Sequence, residues 1–514
     1  MKICLINPPR LLTLTSVSLK ATPPLGLAYI AGALKAAGHD VSVIDAIALA
    51  PYTFTSFQGD IVLHGLHDSE VMKLISSDVE IIGLGCMFSN NWLANRRFIN
   101  SLTSTFPNAK IVLGGEHSTA VPDLCFNQCK DLHAIVLGEG EETMVELAHA
   151  IENNIDLATV EGIVYRDNNT GELLRPERRK RVREIETLPW PAWELFPMEK
   201  YMEHKFSYGV DRGRSLPIMA TRGCPYTCTF CSSPKMWGTR YFMRSPKDMA
   251  DEIQHLYEEY NIQNFDFYDL TAIVNKRWIV DFCTELAERK LNLTWQIPAG
   301  TRSEAIDREV AEWLYKSGCR NITYAPESGS PEVLKMIKKK VHLDKMLESI
   351  RYSNQEKLNI KLNMMIGFPD ETQSQLWETV WFMAKASWAG AHDALPSIFS
   401  PYPGSELFDR LVVEKRVDPY DDAYWVRIIF ADDYTKAITY SNHVGKKGLL
   451  FYVIIQTLFF YGTNFLFRPI RFLVTVKNLF TKNYESRAEV TFSELVKRNT
   501  QIEVREEQAV IQAA

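Results

Sequence analysis

Three cysteines are the residues whose type and spacing speak most plainly of chemistry in this 514-residue chain. Cys224, Cys228 and Cys231 stand in RGCPYTCTFCSS, at C-x3-C-x2-C spacing, directly after an apolar run that reads as a strand. Three thiolates on one short loop can wrap three irons of a cubane 4Fe-4S cluster and leave the fourth iron without a protein ligand. An open iron is what an exogenous ligand needs. The competing reading is a zinc knuckle. A closed zinc site takes four ligands, however, and the other candidates, His204 and Cys283, are distant in sequence. The remaining cysteines, at 4, 86, 125, 129, 283 and 319, form no spaced framework. The set therefore implies a metal site in a reducing compartment rather than disulfides.

At this motif the chain resembles the radical S-adenosylmethionine (SAM) superfamily, whose signature C-x3-C-x-aromatic-C is met with Phe230 as the aromatic. The resemblance implies that SAM chelates the open iron and is cleaved by an electron from the cluster to a 5'-deoxyadenosyl radical. YAPESGSPEVLKMIKKK resembles the family's fourth-strand segment, which implies that Glu327 bonds the SAM ribose. IGFPDET resembles the fifth-strand segment, which implies that backbone around Ile366 and Gly367 faces adenine. FYDLTAI corresponds to a second-strand segment that commonly reads Asp-Asp; Leu270 replaces the second acid, so only Asp269 carries over. PYPGSEL, at 401–407, resembles a late-barrel motif. Taken singly, Glu327 could cap a helix before Pro331 and Gly367 could open a turn before Pro369. Their order and spacing is what joins them.

The elements that must position these residues begin with residues 2–152, where KICLIN, VSVID, VEIIGLGC, KIVLGG and HAIVLG alternate with amphipathic stretches. That alternation predicts a doubly wound parallel sheet. Glycines cluster where strands end, at 83 and 85, 114 and 115, 138 and 140, so backbone can approach a ligand beyond the carboxyl edge. TPPLGLAYIAGALKAAGHDVSVID, GGEHST and VLGEGEET resemble, in order, the cobalamin-binding domain of the superfamily's cobalamin-dependent branch. The resemblance implies a corrin ring near Gly114, Gly115, Gly138 and Gly140. The D-x-H-x-x-G motif that supplies a lower-axial histidine elsewhere is missing, because Asp45 is followed by Ala46 and Ile47; cobalamin without histidine ligation is the expectation. His117, after Gly114 and Gly115 at a strand end, is the alternative ligand, with a role beside the ring edge or behind a ligand as the competing reading. His64, His67 and Asp68 read as a polar loop, and Cys125 with Cys129 is too small a set for a metal.

Residues 153–214 shift to charge and then to LPWPAWELFP and read as a linker. Glutamates interrupt the basic run RPERRKRVREIE, and with a net charge of −6 nothing favours a nucleic-acid partner. From Ser215 to about residue 420, six strand-helix units predict a partial (βα)6 TIM-type barrel, short of the eight that close. The region 421–514 reads as mostly helical. Within it, residues 448–467 are long enough to span a bilayer, yet Gln456, Thr457, Thr463 and Asn464 interrupt them and aromatics and basic residues accompany them. A buried or interfacial helix fits better than a spanning one. The start MKICLINPPR reads as a strand and not a signal peptide, giving a cytoplasmic expectation with peripheral membrane contact through 448–467. The last twenty or so residues read as a frayed polar tail.

The expected fold is thus α/β: a Rossmann-like cobalamin-binding domain (1–152), a linker (153–214), a radical SAM barrel (215–420) and a helical C-terminal region (421–514). The expected activity uses a 4Fe-4S cluster, SAM and cobalamin to methylate an unactivated carbon of a small-molecule or lipid-like substrate, with a reductant such as flavodoxin or ferredoxin. Rival readings are a cobalamin-dependent cyclase or oxidoreductase of tetrapyrrole type, and a non-catalytic cobalamin or iron-sulfur sensor. No acid or base residue is assigned.

Overall fold

The computed structural model describes residues 1–16, 21–167, 170–493 and 504–507; most of the tail expected to fray lies outside these. The apolar runs of the first domain form strands Lys2–Asn7, Asp40–Asp45, Ile81–Gly85, Lys110–Gly114 and Ala134–Val136. They lie parallel, with Lys2–Asn7 between Asp40–Asp45 on one side and the other three on the other. The chain therefore winds outward from an interior strand in both directions, as the doubly wound pattern requires. Two further strands, Ile163–Arg166 and Leu173–Leu174, extend the sheet antiparallel. They come from the stretch that reads as linker: Ile163, Val164 and Tyr165 are buried against the sheet edge.

A second, small antiparallel sheet joins Arg10–Thr13, Phe54–Gln58 and Ile61–His64. His64 belongs to this sheet rather than to a loop. Burial pushes His64 down to about 3; it stacks on Phe54 and bonds Pro51 O at 2.7 Å. His67 caps helix Asp68–Leu74.

The six predicted barrel strands all form: Ser215–Ile218, Asn264–Phe267, Thr294–Thr301, Cys319–Glu327, Asn359–Ile366 and Asp393–Ile398, parallel and in sequence order. Helices between them cover the outside. Helix Lys446–Phe467 takes the outer position beside the last strand, packed on helix Gln373–Ala389. Two of its polar interruptions point inward: Asn464 donates to Ala391 O at 2.8 Å, and Gln456 is fully buried. By length and composition it passes as a membrane span, yet it serves as barrel wall, in line with the interior or interfacial reading.

The two domains share one hydrophobic core, which runs from Ile3 and Leu25 through Trp193 and Met249 to Phe460. Helix Leu25–Ala36 meets the connector there: Ala192 N donates to Ala28 O at 3.0 Å. A Cβ on Gly32 would stand 2.4 Å from Trp190 O, whereas one on Gly26 would meet nothing within 4 Å. Gly32→Ala should therefore cost about 2 kcal/mol or more by overpacking, read as a lowered thermal midpoint. Gly26→Ala, on the same helix, should be neutral or stabilising by up to about 1 kcal/mol. Equal effects would refute the close-approach account.

Candidate active site

The cysteine loop follows the first barrel strand, where a tight backbone turn is obligatory. Gly223 has φ +86°, and a Cβ there would stand 2.3 Å from Arg240 O. Beyond it Cys224, Cys228 and Cys231 are half-buried and free. Thr229, between the second and third cysteines, is pinned on both backbone sides: its N–H donates to Ile337 O at 3.0 Å, and its C=O accepts from Leu407 N at 2.8 Å. PYPGSEL thus acts directly on the loop. Burial raises all three thiols above the ordinary range, Cys231 to about 12. Among the described residues, no three His, Cys, Asp or Glu groups are gathered closely enough for a single metal ion.

Both flanks of the loop are clamped by the first domain. Arg222, 2% exposed, donates to Glu141 at 2.6 Å and Glu139 at 3.2 Å and lies over the Tyr29 ring. Burial works against its charge, but these carboxylates outweigh that and hold it above its ordinary value. On the other flank Ser232 donates to half-buried Glu116. Glu139 and Glu141 come from VLGEGEET, Glu116 from GGEHST. The carboxyl edge of the first sheet therefore abuts the cysteine loop, and the glycines lie in this seam. Gly115 has φ +119° and is pressed on Cys86 O; Gly138 faces Met236 O; Gly140 packs on Ile30. A Cβ on Gly114 would meet no atom within 4 Å. That opening at a strand end suits a flat ligand approaching the backbone.

The residues weighed as cobalt or metal ligands have protein partners. Asp45 caps helix Ala46–Leu49, accepts from Ile47 N and Ala48 N at 3.2 and 3.1 Å, and accepts from Tyr201 OH at 2.8 Å. His117 is buried between Trp92 and Trp425, bonded to Ser89 Oγ at 2.9 Å, and burial pushes it down to about 3. Cys125 and Cys129 are fully buried core residues.

Around the barrel mouth, Phe230 packs on Phe368, ring centres 5.8 Å apart. Glu327 has φ +68° at a register shift between the fourth and fifth strands, a left-handed conformation that costs free energy and persists only where the surroundings impose it. Its partner is Lys339 Nζ at 2.9 Å, a buried ammonium kept above its ordinary value by Glu327 in spite of burial. Lys339 also lies 5.8 Å from the Phe230 ring centre, and Arg302 covers Tyr226 at 4.1 Å. Asp269 spends its carboxylate on the backbone leading into the loop, accepting from Thr221 N at 2.6 Å, Thr221 Oγ1 at 2.5 Å and Ala220 N at 3.2 Å. It stands under the loop and supports it. Ile366 O accepts from Phe399 N at 2.8 Å, and Gly367 N donates to Glu371 at 2.6 Å.

Sequence reasoning missed Arg222, Glu139, Glu141, Lys339 and Glu371 as a set, although each lies in or beside a quoted motif. Glu371 is fully buried and bonds the N–H groups of Gly367 and Phe368, and burial pushes it up to about 7. The acids of GEGEET and the middle lysine of MIKKK were the available signals.

The comparisons with known proteins agree with this geometry. Residues 218–383 match the radical SAM superfamily model and residues 12–148 the B12 binding domain model. An uncharacterized methyltransferase of Pyrococcus horikoshii is 30% identical, with 80% of this chain and 83% of that protein covered. The cytidylyl-2-hydroxyethylphosphonate methyltransferase of Streptomyces wedmorensis is 29% identical, covering 82% and 84%. The anaerobic magnesium-protoporphyrin IX monomethyl ester cyclase of Cereibacter sphaeroides is 27% identical, covering 84% and 68%. Among solved structures, the radical SAM methyltransferase TsrM of Kitasatospora setae, with cobalamin and a 4Fe-4S cluster bound, superposes at TM-score 0.63 and 18% identity, covering 80% and 78%.

Two outcomes test the site's electrostatics. Arg222→Met leaves buried Glu141 without its ion-pair partner and Glu139 with Arg181 alone, and should destabilise by about 3–5 kcal/mol, with less iron retained per chain after anaerobic reconstitution. Wild-type iron content and melting would refute the clamp. Glu371→Gln keeps the accepting oxygen but removes the charge. An acid whose folded value is raised loses stability as pH climbs from its unfolded value of about 4.5 to about 7. The variant should therefore gain on the wild type across that window, by on the order of 2–3 kcal/mol at pH 7; a melting gap that is flat with pH would refute it.

Proposed function

The chain belongs to the cobalamin-dependent radical SAM enzymes, and from that premise we propose that it is a methyltransferase acting on an unactivated carbon of a small-molecule or lipid-like substrate. The observation that carries the reading is the seam in which a cobalamin-type sheet edge meets the three-cysteine loop through Arg222, Glu139, Glu141, Glu116 and Ser232. When bound, the cluster supplies the electron that cleaves SAM to a substrate-activating radical, and cobalamin supplies the methyl group.

This chain's own residues would bind, orient and shield. Cys224, Cys228 and Cys231 would hold three irons as thiolates. Phe230, on Phe368, would wall the loop from the barrel interior. Glu327 would meet the SAM ribose, and backbone at Ile366 and Gly367 would line the adenine pocket, with Glu371 fixing that turn from beneath. Asp269 would keep the strand under the loop in place. Gly114, Gly115, Gly138 and Gly140 would let the corrin approach backbone at the sheet edge. The buried clamp would keep water from the gap between the two halves. A cytoplasmic setting and a flavodoxin- or ferredoxin-type reductant complete the proposal.

The test is anaerobic reconstitution with a chemical reductant, SAM and candidate substrates. Formation of 5'-deoxyadenosine and S-adenosylhomocysteine together, with a product heavier by one methyl, is the expected result. 5'-Deoxyadenosine with a cyclised or oxidised product and no S-adenosylhomocysteine would instead favour the cyclase reading. No 5'-deoxyadenosine with any candidate would favour a sensor. Replacing Cys224, Cys228 and Cys231 by Ala should abolish the cluster's visible and EPR signals while the cobalamin absorption stays.

A further inference from the structure

Helices Gln373–Ala389, Lys446–Phe467 and Pro469–Thr481 carry about half of the large apolar side chains that are exposed among the described residues. Trp381 and Trp388 stand 56% and 55% exposed on the first helix, Leu458 and Leu466 60% and 74% on the second, Ile470 and Leu473 74% and 65% on the third. Ring contacts tie the helices into one surface: Trp381 on Phe459 at 5.4 Å, Trp388 on Phe467 at 4.2 Å, Phe465 on Phe472 at 5.3 Å. A patch of this kind is far larger than scattered surface apolar residues require.

Charge identifies what it fits. Residues 446–482 contain six basic residues and no Asp or Glu, in a chain whose net charge is −6. Arg468 and Arg471 turn inward, to the carbonyls of Ser387, Trp388, Gly390 and Ala391. Lys446, Lys447, Lys477 and Lys482 remain exposed at helix ends. A groove of about 340 Å³ beside Trp388 adds Arg351 and Lys385 to its lining. The acidic Glu378, on the tryptophan helix, is the exception on this side. Lysine is depleted in protein–protein interfaces. Tryptophan beside lysine around exposed leucine and isoleucine is instead the composition of a membrane-interface surface.

We infer that these three helices form a monotopic docking surface for an anionic lipid bilayer, lying flat against the headgroups with the apolar side chains inserted by about 5–10 Å. The inward hydrogen bonds of Asn464, Gln456's burial and the inward arginines keep helix Lys446–Phe467 part of the barrel wall, so it docks and does not span. Near the start of that helix Leu449 packs on Gly367 at the mouth of the barrel, so the bilayer would lie beside the rim of the proposed site. The inference holds whichever reaction the site performs.

The test is flotation of full-length reconstituted protein with vesicles of phosphatidylcholine alone or with a third phosphatidylglycerol. Flotation with the anionic vesicles, weakened by raised salt, is expected. The quadruple charge reversal of Lys446, Lys447, Lys477 and Lys482 to Glu should weaken partitioning by about tenfold or more, and Trp388→Ser with Leu466→Ser and Leu473→Ser should do likewise. Neither set touches the proposed site, so 5'-deoxyadenosine formation in detergent-free buffer should stay at wild-type level. Wild-type tryptophan fluorescence quenched by acyl-brominated lipid would establish insertion without any variant. No flotation with anionic vesicles, or a concentration-dependent dimer that the apolar substitutions convert to monomer, would overturn the inference.

Discussion

A buried guanidinium two residues ahead of the first cysteine is the constraint on which the rest of the molecule turns. Arg222 cannot be buried alone: an uncompensated charge in a low-dielectric interior costs far more than one domain's stability can bear. Its counter-charges, Glu139 and Glu141, lie on the opposite domain. The first strand of the barrel and the last turn of the first sheet must therefore meet before either is electrostatically tolerable. Ser232 and Glu116 repeat the bond on the far side of the loop. A loop held at both ends by a different domain presents its thiols at a fixed place relative to that domain's glycine edge. For chemistry that must bring a radical site and a carbon donor together, such fixed placement converts an encounter into an intramolecular event.

Strain is concentrated in the same region. Gly223, Gly115 and Gly367 take left-handed conformations where a Cβ would strike neighbouring atoms, and Glu327 adopts φ +68° despite its side chain. Each lies at the carboxyl end of a strand, the edge where both α/β architectures place ligands. Beneath lies a packed aromatic cluster, with Phe265 stacked on Trp295 and Phe282 meeting Trp295 edge-on. Folding free energy from the core sustains an irregular rim.

The sequence made much of this legible because its signals were local. Alternating apolar runs located all six barrel strands and the five parallel strands of the first sheet, and three cysteines within eight residues defined their own site. What stayed hidden depended on distance. Strand Ile163–Arg166 was masked by the charged stretch after it, and its partner Ala134–Val136 lies nearly thirty residues upstream. The hairpin containing His64 is too short for periodicity to register. Arg222 pairs across about eighty residues with Glu139 and Glu141, and Lys339 with Glu327 across an intervening helix. The acids and bases were visible, but their pairing is a property of topology.

Topology also accounts for the most ambiguous segment. A six-stranded barrel leaves its last strand, Asp393–Ile398, without the crossover helix that the next repeat would supply. Helix Lys446–Phe467 fills that position from a remote part of the chain. It must bury an inner face that includes Gln456 and Asn464, whose amides therefore point to protein and not to lipid. Its outer face stays apolar, with Leu458 and Leu466 exposed there. A single helix thus meets two surroundings: protein on one side, where Asn464 is hydrogen-bonded and Gln456 is buried, and on the other a surface whose tryptophans, leucines and lysines are arranged as at a membrane boundary. Length and hydropathy alone cannot separate this helix from a spanning one. The separation lies in Asn464, whose amide is bonded to the protein at Ala391 O, and in the burial of Gln456.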